Sequence, residues 1–565
     1  MGWPLPDRRL DLEISGDGYQ SEFTIGSTDG EDSEYGKKKR ASSSKRAVAM
    51  AALSLSIFLA ALDATIVTTP LPTISRKFNS SAGYTWIGSA YVLAQAAVGP
   101  VWGKFSDIWG RRPLVLGSIA IFFIGSAICG AAVDIAMLIS GRTVQGIGAG
   151  GLIIMGNICI SDMFPMRARA TYFGLLGLIW AAASAVGPVL GGALTEKVSW
   201  RWCFYVNLPF AGLAFVIVFL YLDLKTPETP VLAGVKEIDW FGCLAVVGAT
   251  VMFLLGLNFG GVTYSWLSVT VLCLIISGVV ASGIFVGIEW KLTQHPIMPL
   301  RLFRSATNIA TLLGCLLHAV AFICGIFFLP LYFQAVLGTS VLSAGFLLLP
   351  FALSTSIAAV VGGIYIKLTG RYADTIIYGF VLRVLGFGLL IDLPETRIWW
   401  KVILYQIIGG IGAGLSTQPL LVALQSNVSV DDFAVATATF GFIRNIGLSI
   451  GVVAGSAIFQ NSLKNRALSL AESLGPEVAN MVSGDEAIAE ASSVNRLPSP
   501  VKEELRHLIS ASIRDIWIFS TIVAAVATVT ILFINKARLC KDPDEFMTDS
   551  ETDTQPTEKR RPERR

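Results

Sequence analysis

Fourteen long apolar stretches run through this chain of 565 residues. A helix needs about 20 consecutive apolar residues to cross the hydrocarbon core of a bilayer, and the stretches match that length. In the whole chain 53% of residues are hydrophobic and 15% are charged. A soluble domain carries about 25% charged residues, so lipid is the expected solvent for most of this surface. The sequence therefore predicts an all-α membrane protein with fourteen transmembrane helices.

The predicted spans are 47–70, 84–103, 113–133, 136–160, 170–194, 203–223, 239–258, 267–289, 306–333, 341–366, 374–391, 399–424, 434–460 and 515–535. Basic residues concentrate in the connections after even-numbered spans, and such residues flank membrane helices mainly on the cytosolic side. This pattern predicts that both termini are cytosolic. The net charge of +3 is too small to indicate a nucleic-acid partner. The basic residues of these connections are Lys104, Arg111, Arg112, Arg167, Arg169, Lys225, Lys236, Lys291, Arg301, Arg304, Lys367 and Arg371.

The chain divides into five predicted segments. Residues 1–46 are polar, which predicts a disordered cytosolic tail. A six-helix half at 47–223 is followed by two extra helices with linkers at 224–305 and a second six-helix half at 306–540. The second half contains a long outer loop at about 461–513, whose amphipathic part at 501–513 predicts a helix lying on the outer membrane surface. Residues 541–565 are again polar and form a second tail that we expect to be disordered.

An internal repeat supports this division into halves. The connection after the second span reads GKFSDIWGRRP from Gly103, and the connection after the tenth reads GIYIKLTGRYA from Gly363. The first glycine, the second glycine and the following arginine align with equal spacing. Many secondary transporters consist of repeated halves around a site at the middle of the membrane.

Two charged residues lie inside predicted spans of the first half. Asp63 is in the first span and Arg142 is in the fourth, with Gln145 one turn further along the same face. Ionisable residues in membrane helices usually face the bundle interior and mark a pathway. Two structural interpretations remain open: Asp63 as an acid bonded to backbone or to neighbours such as Thr65, and Arg142 as an interfacial residue that extends to the surface.

Five motifs resemble those of the major facilitator superfamily, and in particular its fourteen-span drug–proton antiporters of the fungal toxin-efflux type. They are LDATIVTTPLP at 62–72, GKFSDIWGRR at 103–112, RTVQGIGAGG at 142–151, AVGPVLGGAL at 185–194 and WRWCFYVNLP at 200–209. They occur in the expected order on the expected spans. The resemblance covers about residues 47–540.

The resemblance implies roles for the residues of these motifs. Asp63 and Arg142 would couple transport to protons. The loop motif would act as a cytosolic gate, although a simple topological anchor is the alternative. The fifth-span antiporter motif would seal one half against the other. The gate residues are Gly103, Asp107, Gly110, Arg111 and Arg112, and the antiporter residues are Gly187, Pro188, Gly191 and Gly192.

Polar residues elsewhere in the spans are candidates for the transport cavity. Gln145, Arg444 and Asn445 are the principal candidates, and His318 and Arg383 also lie inside spans of the second half. Further polar candidates are Gln95, Asn157, Gln334, Gln406, Gln418 and Gln425. Asn79 begins an N-x-S sequence in the first outer connection and is a possible glycosylation site.

These features predict proton-coupled efflux of small amphipathic molecules (a toxin, secondary metabolite or drug) across the plasma membrane. The alternative is import of basic amino acids into the vacuole by proton antiport. The expected partners are a small-molecule substrate, protons and membrane lipid, and the expected state is a monomer. No phosphate-binding G-x-x-x-x-G-K-[ST] sequence is present, which disfavours ATP hydrolysis. We expect no enzymatic activity, no cofactor and no metal.

Overall fold

The computed structural model describes residues 29–67, 70–78, 81–222, 234, 238–260, 264–291, 296–429, 432–474 and 501–539. Regular structure in these residues is helical, apart from one isolated bridge between Gly260 and Tyr264. Thirteen helical stretches within them are long and apolar enough to cross a membrane. The predicted all-α membrane fold is therefore confirmed.

The described residues of the first half form nine helices. In chain order they are α1 (Asp29–Ile66), α2 (Leu71–Lys77), α3 (Ser81–Ala97), α4 (Gly99–Trp109), α5 (Arg111–Ala131), α6 (Ile135–Met163), α7 (Met166–Lys197), α8 (Trp202–Tyr205) and α9 (Asn207–Tyr221). The turn between α5 and α6 is short because Asp134 caps α6, accepting a hydrogen bond from the Met137 amide at 2.7 Å.

Two extra helices and a second half complete the described bundle. The extra helices are α10 (Trp240–Phe259) and α11 (Val269–Lys291), which pack against each other. The second half contains α12 (Ala306–Phe327), α13 (Leu329–Leu331), a π-helical turn (Tyr332–Val336), α14 (Val341–Leu347), α15 (Leu349–Thr369), α16 (Tyr372–Leu390), α17 (Trp399–Gln425), α18 (Phe433–Leu474) and α19 (Val501–Ile531).

The second predicted span is divided into α3 and α4. The break falls at Val98, two residues before Pro100. Proline has no amide hydrogen to continue the helical hydrogen bonds, and it is well tolerated at the start of a new helix. The divided span and the thirteen continuous stretches together agree with the fourteen predicted helices.

Two predicted boundaries differ from the helix ranges. Residues 29–46, assigned to a disordered tail, lie within the range of α1. Residues 501–513, assigned to a helix on the outer surface, belong to the same continuous helix as the last span. Their apolar side chains are buried in the bundle rather than placed against a membrane surface: Leu505, Leu508, Ile509 and Ile513. Residues 1–28, 475–500 and 540–565 lie outside the described residues.

The internal repeat recurs in the backbone. Gly110 and Gly370, the aligned second glycines, both have positive φ angles, of 85° and 71°. Side chains other than glycine rarely adopt this region, which explains the glycine at both positions. These two turns lie at the same end of the bundle as the arginine-rich connections, and we call this end the basic end.

Candidate functional site

A polar cluster lies inside the first half, where α1, α6 and α9 meet. Asp63 and Arg142 form an ion pair in which the side chains are 0% and 1% exposed. The other Asp63 oxygen accepts hydrogen bonds from the Gln145 amide at 2.7 Å and the Asn207 amide at 2.8 Å. We call Asp63, Arg142, Gln145 and Asn207 the carboxylate cluster.

Arg142 is held by hydrogen bonds from its Nε and from one Nη. Its Nε donates to the Ile87 carbonyl at 2.9 Å, and one Nη donates to Gln145 Oε1 at 2.8 Å as well as to Asp63. The group also lies over the Tyr91 ring, 4.3 Å from its centroid. Arg142 is therefore not the surface-extending residue that the sequence left as an alternative, since its charge is compensated inside the bundle.

The cluster also reaches α5, because Gln145 donates to the Ser126 hydroxyl at 2.7 Å. A buried carboxylate that accepts several charge-assisted bonds stays ionised far more easily than one in hydrocarbon. Protonation of Asp63 would remove its attraction for Arg142 and leave that cation without its counter-ion. The cluster thus has two distinct electrostatic states, separated by one proton.

The loop motif forms a second polar group at the basic end. Arg111 donates to Asp107 at 2.7 Å and to Asp162, at the end of α6, at 2.8 Å. Arg112 donates to the Phe219 carbonyl on α9 and lies over the Phe219 ring. These contacts join α4, α5, α6 and α9, all within the first half.

Contact between the two halves at the basic end is made by the first glycine of each repeat. A Cβ atom at Gly103 would lie 2.5 Å from the Ala438 Cβ on α18, and one at Gly363 would lie 2.6 Å from the Ala170 backbone on α7. Each repeat glycine therefore allows close approach of a helix from the other half. Gly103 of the predicted gate motif therefore lies at the boundary between the halves.

A buried glutamine joins the halves beside these glycines. Gln425 on α17 accepts from Arg169 at 3.1 Å and donates to Ser161 at 2.8 Å, and both partners belong to the first half. Gln425 was predicted as a cavity residue, but its side chain is fully buried in this contact. Leu539 in the C-terminal segment also links the two halves at the basic end. Its carbonyl accepts from Arg167 of the first half, and its amide donates to the Gly370 carbonyl of the second half at 2.9 Å.

Two glycines of the antiporter motif pack against α1. Gly187 and Gly191 on α7 face α1, where added Cβ atoms would collide with Thr65 and Ile66 of the same half. Pro188 lies within a continuous α7, and Gly192 is partly exposed. These two glycines therefore pack within the first half, while α7 contacts the second half through residues that include Ala170, Gly174 and Gly177. The role of the motif as a seal between the halves stays a prediction.

The equivalent region of the second half has no such ion pair among the described residues. Arg383 is 0% exposed and donates to His318 Nδ1 at 2.5 Å. Arg444 and Asn445 are half-buried on α18, where Asn445 follows Gly441, whose Cβ position faces Ile154 of α6. Their predicted place in the cavity stays a prediction. Asn79 lies outside the described residues.

Comparison with known proteins shows the family of this chain. The sequence model of the Major Facilitator Superfamily matches residues 53–452. The chain belongs to the Major Facilitator Superfamily. It is 47% identical over 493 residues to "Efflux pump dotC" of Dothistroma septosporum, covering 87% of this chain and 85% of that protein. It is 43% identical over 515 residues to "MFS-type transporter ppz2" of Metarhizium majus, covering 91% and 89%.

Solved structures of the superfamily share the fold. The human organic anion transporter MFSD10 superimposes with a TM-score of 0.56, covering 86% of this chain and 99% of its own, at 15% sequence identity. At that identity the likeness concerns the fold alone. The two six-helix halves of this chain are thus those of a major facilitator transporter.

Sequence reasoning missed three members of these sites. Asn207 lies within the quoted WRWCFYVNLP motif, but its amide was not linked to Asp63. Ser126 and Asp162 carried no local signal, because they join the sites only through helix packing. A second repeat also relates the halves: GIGAG occurs at 146–150 and again at 410–414, which aligns Arg142 with Gln406 in the second half.

Proposed function

We propose that this chain is an efflux pump that exports small amphipathic molecules, such as toxins or secondary metabolites, in exchange for protons. The observation that carries the proposal is the buried carboxylate cluster in a major facilitator chain that is 47% identical to a protein named as an efflux pump. A single intramembrane carboxylate that takes up a proton on one side and releases it on the other is sufficient for coupling.

The proposed mechanism is alternating access. The contacts that join the halves at the basic end, through Gly103, Gly363 and Gln425, hold that end closed. Opening to the basic end separates these contacts and admits substrate, while the gate residues Asp107, Arg111 and Arg112 keep the first half rigid as it moves. Rocking of the halves then exposes the substrate at the opposite end.

Asp63 is the proposed proton site and Arg142 its partner. With Asp63 ionised, Arg142, Gln145 and Asn207 hold it in the cluster. A proton from the outer side neutralises Asp63, weakens its bond to Arg142 and favours release of substrate. The return movement carries the proton inward, where its loss restores the ion pair.

The orientation follows from the basic connections. We assign the basic end to the cytosol, since arginine- and lysine-rich connections remain on that side, and both termini with it. The plasma membrane is the proposed location, because export from the cell requires it.

The test is proton-linked uptake by inside-out vesicles that contain the full chain, measured with a panel of amphipathic dyes and toxins with and without a protonophore. Protonophore-sensitive uptake is the expected result. Asp63→Asn should abolish the dependence on the proton gradient. Asp134→Asn is the matched control, because this acid only caps α6 and asparagine caps equally well.

Undiminished gradient-driven uptake by Asp63→Asn would refute the coupling role. Uptake of lysine or arginine in place of amphipathic compounds would instead support the vacuolar amino-acid function.

A further inference from the structure

The second half contains a buried arginine whose hydrogen-bonding capacity is only partly used. Arg383 on α16 donates through Nη1 to the His318 ring and to the His318 carbonyl. Its Nε and Nη2 atoms are buried and make no hydrogen bond to any described residue. Buried polar atoms in native structures are nearly always satisfied, so such an arginine calls for an explanation.

The two unused atoms are on one edge of the guanidinium group. The N–H bonds of Nε and Nη2 are parallel, and this edge matches the two oxygens of a carboxylate. In the first half, Asp63 supplies the carboxylate that pairs with Arg142. Among the described residues no acid forms an ion pair with Arg383, so this part of the chain supplies no counter-ion to it.

His318 is held in a form that cannot supply the missing charge. Its Nδ1 accepts from Arg383, so the ring proton is on Nε2, 2.9 Å from the Thr417 hydroxyl. The imidazole is therefore a neutral acceptor in this structure. It fixes the orientation of Arg383 and leaves the Nε–Nη2 edge unoccupied.

A second cation lies close to this group. Arg444 on α18 follows Phe440 by one turn, and the Phe440 carbonyl contacts Cys315, which lies one turn before His318 on α12. Neither an ion pair nor a hydrogen bond of the Arg444 side chain occurs in the described part of the chain. The region thus holds two positive charges without a negative one.

The surroundings of Arg383 are aromatic. The Phe322 and Phe387 rings lie 5.7 and 5.8 Å from its guanidinium carbon, and Phe380 packs against His318. Phe322, Thr417 and Arg444 are partly exposed. Arg383 therefore lies one side chain below the accessible surface, among rings that suit an apolar molecule.

We propose that Arg383, oriented by His318 and assisted by Arg444, binds the carboxylate of an aromatic or lipophilic organic acid in the second half. That the bound acid is a transported substrate rests on the proposed efflux function. Displacement of Phe322 or Thr417 as the bundle opens gives the acid access to the Nε–Nη2 edge. The same two cations disfavour lysine and arginine as substrates, since like charges repel.

The test uses the full chain purified in detergent and two matched probes, 2-naphthoate and 2-naphthamide, which share a ring and differ in charge. Binding is measured by protection against thermal unfolding. We expect 2-naphthoate to bind at least about tenfold more tightly than the amide, the gain typical of charge-assisted hydrogen bonds. Arg383→Lys keeps the charge but removes the paired donors, and should weaken 2-naphthoate binding about tenfold. Arg304→Gln, an exposed arginine in the connection just before the second half, is the control and should bind like the unchanged protein.

Equal binding of acid and amide by the unchanged protein would overturn the proposal, whether or not the variants fold. Equal protection by sodium chloride would show a site for any small anion and would overturn the organic-acid assignment. The vesicle experiment separates this proposal from the efflux function. Efflux without preference for the acid refutes only the anion site, whereas acid-specific binding without gradient-driven uptake refutes only the efflux pump.

Discussion

Asp63 and Arg142 differ from a surface ion pair because solvent reaches neither side chain. A surface pair contributes little to stability, whereas breaking a buried pair leaves an uncompensated charge in the interior. At the scale of single residues, the stability of the first half therefore depends on keeping both members or removing both.

We predict that Arg142→Gln lowers the free energy of unfolding by about 3–5 kcal/mol, because Asp63 loses its counter-ion. The double variant Asp63→Asn/Arg142→Gln should be more stable than Arg142→Gln alone, since no charge remains unpaired. Apparent melting temperatures of the purified variants measure this. A double variant less stable than either single one would contradict the coupling of the two residues.

For the site, the sequence was most informative about which charged residues lie inside the membrane spans. A carboxylate in the first span and an arginine in the fourth indicated a shared polar path, and the structure places them in contact. Asn207 could not be linked to them from spacing, because 144 residues separate it from Asp63 along the chain. Only the packing of α9 beside α1 shows that it is a partner.

At the scale of helices, α18 and α19 extend beyond the lengths needed to cross a membrane. Arg466 and Ser462 on α18 both contact Asp515 on α19, and the Ser462 and Ser512 hydroxyls are 3.3 Å apart. The amphipathic pattern of 501–513 is therefore explained by one face that packs on the bundle. Periodicity alone does not distinguish that partner from a membrane surface.

We predict that Ser462→Cys/Ser512→Cys forms a disulfide under mild oxidation, because the two side chains already face each other. With a protease site inserted between residues 475 and 500, the cleaved fragments should stay joined until a reducing agent is added. Ser462→Cys/Ser510→Cys is the control, since residues two apart on a helix point to different faces. Fragments that separate without reduction in the first variant would mean that 501–513 lies apart from α18.

At the scale of the whole molecule, the repeat glycines make reciprocal contacts between the halves. Gly103 of the first half lies against α18, and Gly363 of the second half lies against α7. A methyl group at either position enters space already filled by the other half. The closed basic end thus depends on two sites of equivalent sequence.

We predict that Gly103→Ala reduces transport about tenfold. Overpacking by the added methyl group costs about 1–3 kcal/mol, and about 1.4 kcal/mol is enough to disfavour the closed state tenfold. Uptake into inside-out vesicles measures the loss. Gly117→Ala is the matched control, because no atom lies within 4 Å of its added Cβ. Equal transport by the two variants would argue against a role of the Gly103 contact in the cycle.

The sequence predicted the number of helices and the two halves, because bilayer thickness and the repeat constrain both. It did not predict which surfaces of the halves meet. Gly187 and Gly191 were assigned to the boundary and pack on α1, while Gln425 was assigned to the cavity and joins the halves. Small residues and buried amides look alike in sequence whether their partner helix belongs to the same half or the other.

The complete enclosure of Asp63 has an electrical consequence. A carboxylate with no exposed surface exchanges no proton with either compartment in this state. Under the proposed mechanism, a membrane rich in copies in this conformation would keep its proton gradient, because protons would cross only while the halves move.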